Sequence, residues 1–182
     1  MTRCIWFRQD LRLQDHPALY HACQDAEDSV VALFVLMPQQ WQSYSFGDGK
    51  ISFILQRLRA LSVDLAVLNI PLKLICINKF SELPGALINF CQKHVIDTVY
   101  ANYQYLWNEW DCDEKLSQQL PGVNIEFQRF HDGTLLPPEA VKKSDMTPFK
   151  VFTPYKKQWL KKVAFDDWQL YQKPSKQKRS SI

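Results

Sequence analysis

The stretch Arg3-Cys-Ile-Trp-Phe-Arg-Gln-Asp-Leu-Arg-Leu13, followed by Gln14-Asp-His-Pro17, joins a short apolar run to a charged turn and then to a helix start. A strand–turn–helix unit of this kind is typical of nucleotide-binding α/β domains. The usual phosphate-binding turn needs glycines so that the backbone can approach the phosphate closely. This turn contains no glycine and carries the charges of Arg8, Asp10 and Arg12 instead, which we interpret as a structural ion-pair cluster.

Strand-length apolar runs alternate with helix-length amphipathic runs along the first 130 residues. Strands that alternate with helices pair in parallel through right-handed crossovers, so the pattern predicts an α/β fold, a three-layer α/β/α sandwich with a five-stranded parallel Rossmann-like sheet. Asp15 is the predicted cap of the first helix, and His16 is expected at the surface. The predicted strands are Cys4–Phe7, Ser29–Leu36, Leu72–Ile77, Thr98–Asn102 and Asn124–Phe130, and the predicted helices are Pro17–Ala26, Ile51–Leu68, Glu82–His94 and Trp107–Leu120.

Charge is distributed unevenly along the chain. Residues 142–182 contain eleven Lys or Arg and three Asp, whereas the remainder contains eleven basic and sixteen acidic residues. We therefore predict an α/β domain over residues 1–136 and a basic linker over 137–182, with a short amphipathic helix near Thr153–Val163 and a disordered tail from Lys173. The basic segment is either a nucleic-acid contact or a solvated linker with an exposed helix.

The five cysteines contain no C-x-x-C pair, and Cys4 and Cys76 fall within predicted buried strands. This usage favours a reduced protein over a disulfide scaffold or a zinc site. The start of the sequence has no signal-peptide pattern, and the longest apolar run, Val30–Met37, is far shorter than the ~20 residues that span a bilayer. We expect a cytoplasmic protein with no membrane contact.

Two loops that follow predicted strands are rich in aromatic and amide side chains, at residues 37–49 and 102–109. Ligands of open parallel sheets bind beyond the carboxyl ends of the strands, and flat aromatic faces with polar tips suit a planar heteroaromatic ligand. An Asn–Glu pair can bind the amine and ring-NH edge of a pterin or purine. Alternatively, the aromatics only close the end of the sheet and Asn108 helps to begin a helix. The candidate ligand-binding residues are Met37, Trp41, Tyr44, Tyr103, Tyr105, Asn108 and Glu109.

Four blocks occur in a family-specific order: W-F-R-Q-D-L-R at Trp6–Arg12, P-x-Q-W at Pro38–Trp41, Y-x-N-Y-Q-Y-x-x-N-E at Tyr100–Glu109, and F-K-V-F-T-P-Y-K-x-x-W at Phe149–Trp159. Together they resemble the N-terminal antenna domain of the DNA photolyase/cryptochrome family. The likeness is greatest to bacterial class I photolyases of the folate type, which act on cyclobutane pyrimidine dimers, and it spans about residues 2–165.

This resemblance implies light-driven DNA repair, in which an antenna pigment, often methenyltetrahydrofolate, passes blue-light energy to reduced FAD in a helical C-terminal domain. Asn108 and Glu109 match the family's folate contacts, and the loop after the second strand supplies another. The chain departs from the pattern at Tyr44, where folate-binding members often have histidine. Folate, deazaflavin, flavin or no pigment remain open alternatives.

The sequence ends at Ile182, short of the family's FAD pocket and lesion groove. The resemblance therefore implies a light-harvesting domain that is not catalytic alone, in a family of carbon–carbon lyases. Its expected partner is an FAD-binding helical domain; it would meet damaged DNA only indirectly, and its interdomain face is open to self-association. The alternatives are a cryptochrome-like signalling or protein-interaction module and an unrelated nucleotide-binding domain, which the lack of a glycine-rich loop disfavours.

Overall fold

A five-stranded parallel sheet forms the centre of the computed structural model, which describes residues 1–25, 27–165, 170–180 and 182. The strands are β1 (Thr2–Phe7), β2 (Ser29–Leu36), β3 (Leu72–Cys76), β4 (Thr98–Asn102) and β5 (Glu126–Phe130). The helices are α1 (Pro17–Ala22), α2 (Pro38–Ser43), α3 (Asp48–Val67), α4 (Leu83–Lys93), α5 (Trp107–Gln119) and α6 (Phe152–Phe165). Short 3₁₀ turns lie at Phe80–Glu82, Leu120–Val123 and Pro138–Ala140. The predicted α/β class and parallel sheet are confirmed.

Alternate residues of β1 face two separate apolar clusters because successive side chains of a strand point to opposite faces of a sheet. Cys4 and Trp6 join the cluster that contains α4 and α5, whereas Ile5 and Phe7 join the cluster of α1 and α3. Helices therefore cover both faces of the sheet, which gives the predicted three layers.

The strand order is β3-β2-β1-β4-β5, with β1 at the centre. Cys4 is in register with Val31 of β2 on one side and with Val99 of β4 on the other. The crossovers run outward from β1 to β3 and then return to the other side of β1 at β4. A reversal of this kind leaves a crevice at the carboxyl ends of the strands, which is where open α/β sheets bind ligands.

The start of α1 differs from the prediction. His16, not Asp15, is the residue that caps the helix, and its Nδ1 accepts a hydrogen bond from the backbone N–H of Leu19 at 3.0 Å. Asp15 instead has a positive φ of 51°, and His16 is buried, so the expectation of a surface histidine was wrong. The helix ends at Ala22; the predicted end, Ala26, lies outside the described residues.

β3 is an edge strand, which changes the environment of its side chains. Leu74 is exposed, and Cys76 is exposed as well, in contrast to the buried position predicted for it. Cys4, in the central strand, is fully buried as predicted. The helix α2 was not predicted, and it begins with Pro38 in its first turn, where a proline is tolerated.

Part of the chain predicted to be a disordered tail lies against the α/β body. Tyr171, two residues before the predicted tail, exchanges hydrogen bonds with Asp15 and contacts the rings of Tyr20 and His21. Gln177 is buried: its backbone N–H donates to the carbonyl of Leu68 at 2.9 Å. The tail is ordered here because its polar groups find backbone partners on the body, a long-range effect that composition does not encode. The domain boundary at residues 136 and 137 stays a prediction.

In the part of the chain that the structure describes, every helix is too short or too polar to cross a lipid bilayer.

Candidate functional site

A cavity of about 1020 Å³ opens at the carboxyl ends of β1 and β2, next to the start of α5. Its walls come from the turn after β1, the loop after β2, one face of α3 and the first turns of α5. The cavity thus occupies the crevice that the reversal of the strand order creates, and its volume is at the upper end of the range for small-molecule sites.

Five of the seven predicted ligand-binding residues line this cavity: Met37, Trp41, Tyr44, Asn108 and Glu109. The amide nitrogen of Asn108 donates to the hydroxyl oxygen of Tyr44 at 3.1 Å, so the two predicted loops meet at the cavity mouth. Trp41 is buried, whereas Tyr44 is 56% exposed. Their role in ligand binding stays a prediction.

Tyr103 and Tyr105 do not line the cavity. The backbone N–H of Tyr103 donates to the carbonyl of Phe130 at 2.8 Å, which holds this segment beside β5. The Tyr103 ring stacks on His131 at 4.4 Å, and the Tyr105 hydroxyl lies 2.9 Å from His131 Nδ1. The loop after β4 therefore turns these two aromatics away from the crevice, and a ligand contact for them stays a prediction.

Beside the cavity lies a buried polar network of Arg8, Asp10, His16, Asn102 and Asp113. The Asp10 carboxylate accepts from the Arg8 backbone N–H at 2.8 Å, from Asn102 Nδ2 at 2.7 Å and from His16 Nε2 at 3.0 Å. Arg8 donates from Nη1 to Asp113 at 2.7 Å and from Nη2 to the carbonyl of Asn102. The network joins β1, α1, β4 and α5 where the crevice opens, as the predicted structural role of Asp10 requires. Arg12, the third charged residue of the turn, pairs with Asp132 rather than with Asp10.

The two carboxylates of this network have opposite pKa shifts. Burial alone raises the pKa of Asp10, but the His16 hydrogen bond, with further help from Arg8, outweighs burial and lowers that pKa to about 2. Burial dominates at Asp113 and raises its pKa despite the attraction of Arg8. Burial likewise raises the pKa of the neighbouring Cys112 thiol to about 12, so this thiol is a core residue and not a nucleophile.

Several residues of the cavity wall were not predicted. α3 contributes Lys50, Phe53, Ile54 and Arg57, whose i, i+3, i+4, i+7 spacing defines one face of a helix. That spacing was present in the sequence, but the apolar pattern of the same helix pointed to its core face. Trp6, a member of the apolar cluster that contains α4 and α5, also lines the cavity, with the Arg8 guanidinium 4.6 Å from its ring centroid.

The wall suits a planar heteroaromatic group. Trp41 and Phe46 stack with their planes 8° apart, and Phe34, Phe53 and Trp107 add further aromatic surface. Asn108 offers both a donor and an acceptor, and Glu109 offers acceptor oxygens. A ring with an amine and ring-NH edge finds both stacking surface and hydrogen-bond acceptors here.

A family model described as DNA photolyase matches residues 3–176, which is nearly the whole chain. The chain belongs to the DNA photolyase family. Within that family it corresponds to the N-terminal α/β domain, in agreement with the four sequence blocks. The similarity to this family predicted from Trp6–Arg12 and Tyr100–Glu109 is thereby confirmed.

Curated photolyases give the same result. The deoxyribodipyrimidine photo-lyase of Salmonella typhimurium is 39% identical over 91% of this chain, and that of Escherichia coli is 34% identical over 89%. Each match covers 34% of the relative. The chain thus spans about a third of the length of these photolyases.

Solved structures show the same fold. A Synechocystis sp. PCC6803 cryptochrome superposes with a TM-score of 0.76 and 23% identity, covering 96% of this chain and 37% of the cryptochrome. An archaeal photolyase from Sulfolobus tokodaii, solved with two FAD molecules, superposes with a TM-score of 0.71 and 20% identity. The match covers 97% of this chain and 38% of the photolyase chain.

Proposed function

We propose that this chain is the light-harvesting antenna domain of a deoxyribodipyrimidine photolyase, which repairs pyrimidine dimers in DNA with blue light. The observation that carries the proposal is the meeting of Tyr44 with Asn108 at the mouth of an aromatic cavity, in a member of the DNA photolyase family. We also propose that the protein is cytoplasmic, because its five free cysteines stay reduced in that compartment.

The pigment that we propose is methenyltetrahydrofolate, which supplies absorption in the near ultraviolet and violet. Glu109 and Asn108 would accept from its amine and ring-NH edge, and Trp41 would provide apolar surface beside the ring. Tyr44 would orient the Asn108 amide through the 3.1 Å hydrogen bond.

We further propose that FAD, lesion binding and catalysis belong to a helical partner domain, so that this chain alone does not repair DNA and meets damaged DNA only indirectly. Two exposed apolar surfaces support a partner. Leu106 and Trp107 beside the cavity are 64% and 74% exposed, and Phe152 on α6 is 71% exposed. Contiguous exposed apolar side chains such as Leu106 and Trp107 mark interaction surfaces, and we propose that they bind the helical domain or a second copy of this chain.

A cryptochrome-like signalling or protein-interaction module is the second candidate, because the same exposed surfaces fit a separate protein partner. A pull-down with the purified chain separates the two. Capture of a flavoprotein that then repairs dimers in light supports the photolyase role, whereas capture of a flavoprotein without repair activity supports signalling.

The decisive experiment is the absorption spectrum of the purified chain before and after incubation with methenyltetrahydrofolate and gel filtration. A retained near-ultraviolet to violet band supports the antenna role. Absence of a retained pigment contradicts it for this chain. The Trp41→Ala variant should retain less pigment, because it removes cavity surface without touching the hydrogen-bonding residues.

A further inference from the structure

Most charged side chains on the cavity wall are neutralised within the protein. Arg8 pairs with Asp113, Arg12 pairs with Asp132, and Asp10 accepts from His16. A ligand gains little by approaching these groups, because each already has a hydrogen-bonded partner of opposite charge or a histidine donor.

Lys50 and Glu109 are different. Lys50 Nζ lies 3.3 Å from the centroid of the Phe46 ring, and within residues 1–25, 27–165, 170–180 and 182 no carboxylate comes within 4.0 Å of it. Glu109 also makes no ion pair with any described residue. The two uncompensated charges lie on α3 and α5, which belong to the two opposite helical layers.

Arg57 adds positive charge to the α3 wall. It lies seven residues after Lys50 on the same face of the helix, with the apolar Phe53 and Ile54 between them. Its Nε donates to the carbonyl of Leu11 at 2.6 Å, and its Nη1 is 3.8 Å from Asp64, a loose and half-exposed ion pair. The α3 wall is therefore cationic, while the α5 wall carries the acceptor Glu109.

We propose that Lys50, with Arg57, forms an anion subsite in this cavity. The ligand class is then a planar heteroaromatic whose donor edge meets Glu109 and whose carboxylate or phosphate tail meets Lys50. This inference rests on the proposed function for the binding of the planar ring. It adds that the tail of the ligand is anionic. Carboxylate and phosphate tails share the chemistry that a lysine ammonium recognises.

The test uses two matched ligand pairs on the full chain, measured by fluorescence titration. Methenyltetrahydrofolate is compared with its pteroylamide analogue, in which a primary amide replaces the glutamate and the tail carries no carboxylate, and flavin mononucleotide is compared with riboflavin. The anionic member of at least one pair should bind about tenfold more tightly, as a charge-assisted contact predicts, and the preference should fall with added salt. The pair that shows the preference identifies carboxylate or phosphate as the tail.

Lys50→Met keeps the aliphatic stem and should reduce the preference to less than about twofold, and Lys50→Glu should reverse it. Arg59→Met, on the same helix but off the cavity wall, should leave it unchanged. Ring binding with no anionic preference, or a preference that survives Lys50→Met, overturns the anion subsite alone. Binding of neither pair contradicts the proposed function itself and the anion subsite with it.

Discussion

Replacing Asp10 with asparagine should destabilise the fold by several kcal/mol. Both Asp10 oxygens accept hydrogen bonds: one from the Arg8 backbone, the other from Asn102 and His16. An asparagine NH₂ group must replace one oxygen, so in either orientation a donor faces a donor. His16 cannot adapt by changing tautomer, because its Nδ1 already accepts from the backbone N–H of Leu19.

The magnitude has two parts. The pKa of Asp10 falls from 3.8 to about 2, which corresponds to about 2 kcal/mol of stabilisation by the ionised form. Leaving buried donors unsatisfied adds about 1–3 kcal/mol. The sum, about 3–5 kcal/mol, lowers Tm by roughly 10 °C in a chain of this size.

The pH dependence gives an independent signature. Because the folded pKa of Asp10 is depressed, its contribution is fully present well above pH 3.8 and is lost as pH falls towards about 2. The asparagine variant has no titrating group at this position. On acidification its free energy of unfolding should therefore fall by about 2 kcal/mol less than that of the unsubstituted protein. The raised pKa of Asp113 changes stability with pH in the opposite direction to that of Asp10. Because Asp113 is present in both proteins, its contribution cancels to first order when the two are compared.

Urea unfolding followed by tryptophan fluorescence, at about pH 7 and about pH 2, measures both effects. Asp111→Asn is the matched control: it breaks an exposed ion pair with Lys115 and should leave the free energy of unfolding nearly unchanged. A loss below about 1 kcal/mol for Asp10→Asn, or an unchanged acid dependence, would refute the reasoning. Pigment uptake at a temperature where the variant is folded should be retained; loss of uptake at unchanged stability contradicts a structural role.

Three further predictions concern separate parts of the molecule. Glu109→Gln should weaken methenyltetrahydrofolate binding by about 1–3 kcal/mol in a fluorescence titration, because a charge-assisted acceptor is lost; an unchanged affinity removes Glu109 from the site. Val95, a β-branched residue that is 76% exposed, has a φ of 51° after the end of α4, so Val95→Gly should raise stability by about 1 kcal/mol in urea unfolding, and a lower stability contradicts this. Gln177→Ala should lower stability by about 1 kcal/mol by removing buried side-chain hydrogen bonds to the carbonyls of Cys23 and Ser175, and a value near zero would mean that the tail does not stabilise the body.

The strands were the part of the fold that local sequence could predict. β2 and β4 have the predicted bounds, Ser29–Leu36 and Thr98–Asn102, because continuous apolar and β-branched runs are typical of strands covered on both faces. Cys76 was predicted to be buried because it ends an apolar run. Its burial depends on the position of its strand in the sheet, and the strand order was not predicted. α2 was missed because Pro38–Ser43 has no apolar periodicity, only a proline suited to the first turn.

The positions of the site residues were predictable where the residues directly follow a strand. They were not predictable where distant segments of the chain decide the geometry. Met37 follows β2, and Asn108 opens α5, so their convergence follows from a parallel sheet. Tyr103 sits equally close to a strand end, but its bond to Phe130 depends on the placement of β5. His16 was expected at the surface because a lone histidine in the first turn of a helix is usually exposed. It is buried because the packing of β1, β4 and α1 encloses it beside Asp10, which local sequence does not show.

The contacts around Ser29 make the fold a candidate for circular permutation. The Ser29 backbone N–H donates to the carbonyl of Met1 at 3.1 Å, and Ser29 also forms a β-bridge with Lys178. Residues 1 and 178 therefore both lie beside Ser29 at the amino ends of the strands, at the end of the sheet opposite the cavity. A few flexible residues should join them, and new ends opened in an exposed loop would leave the cavity undisturbed.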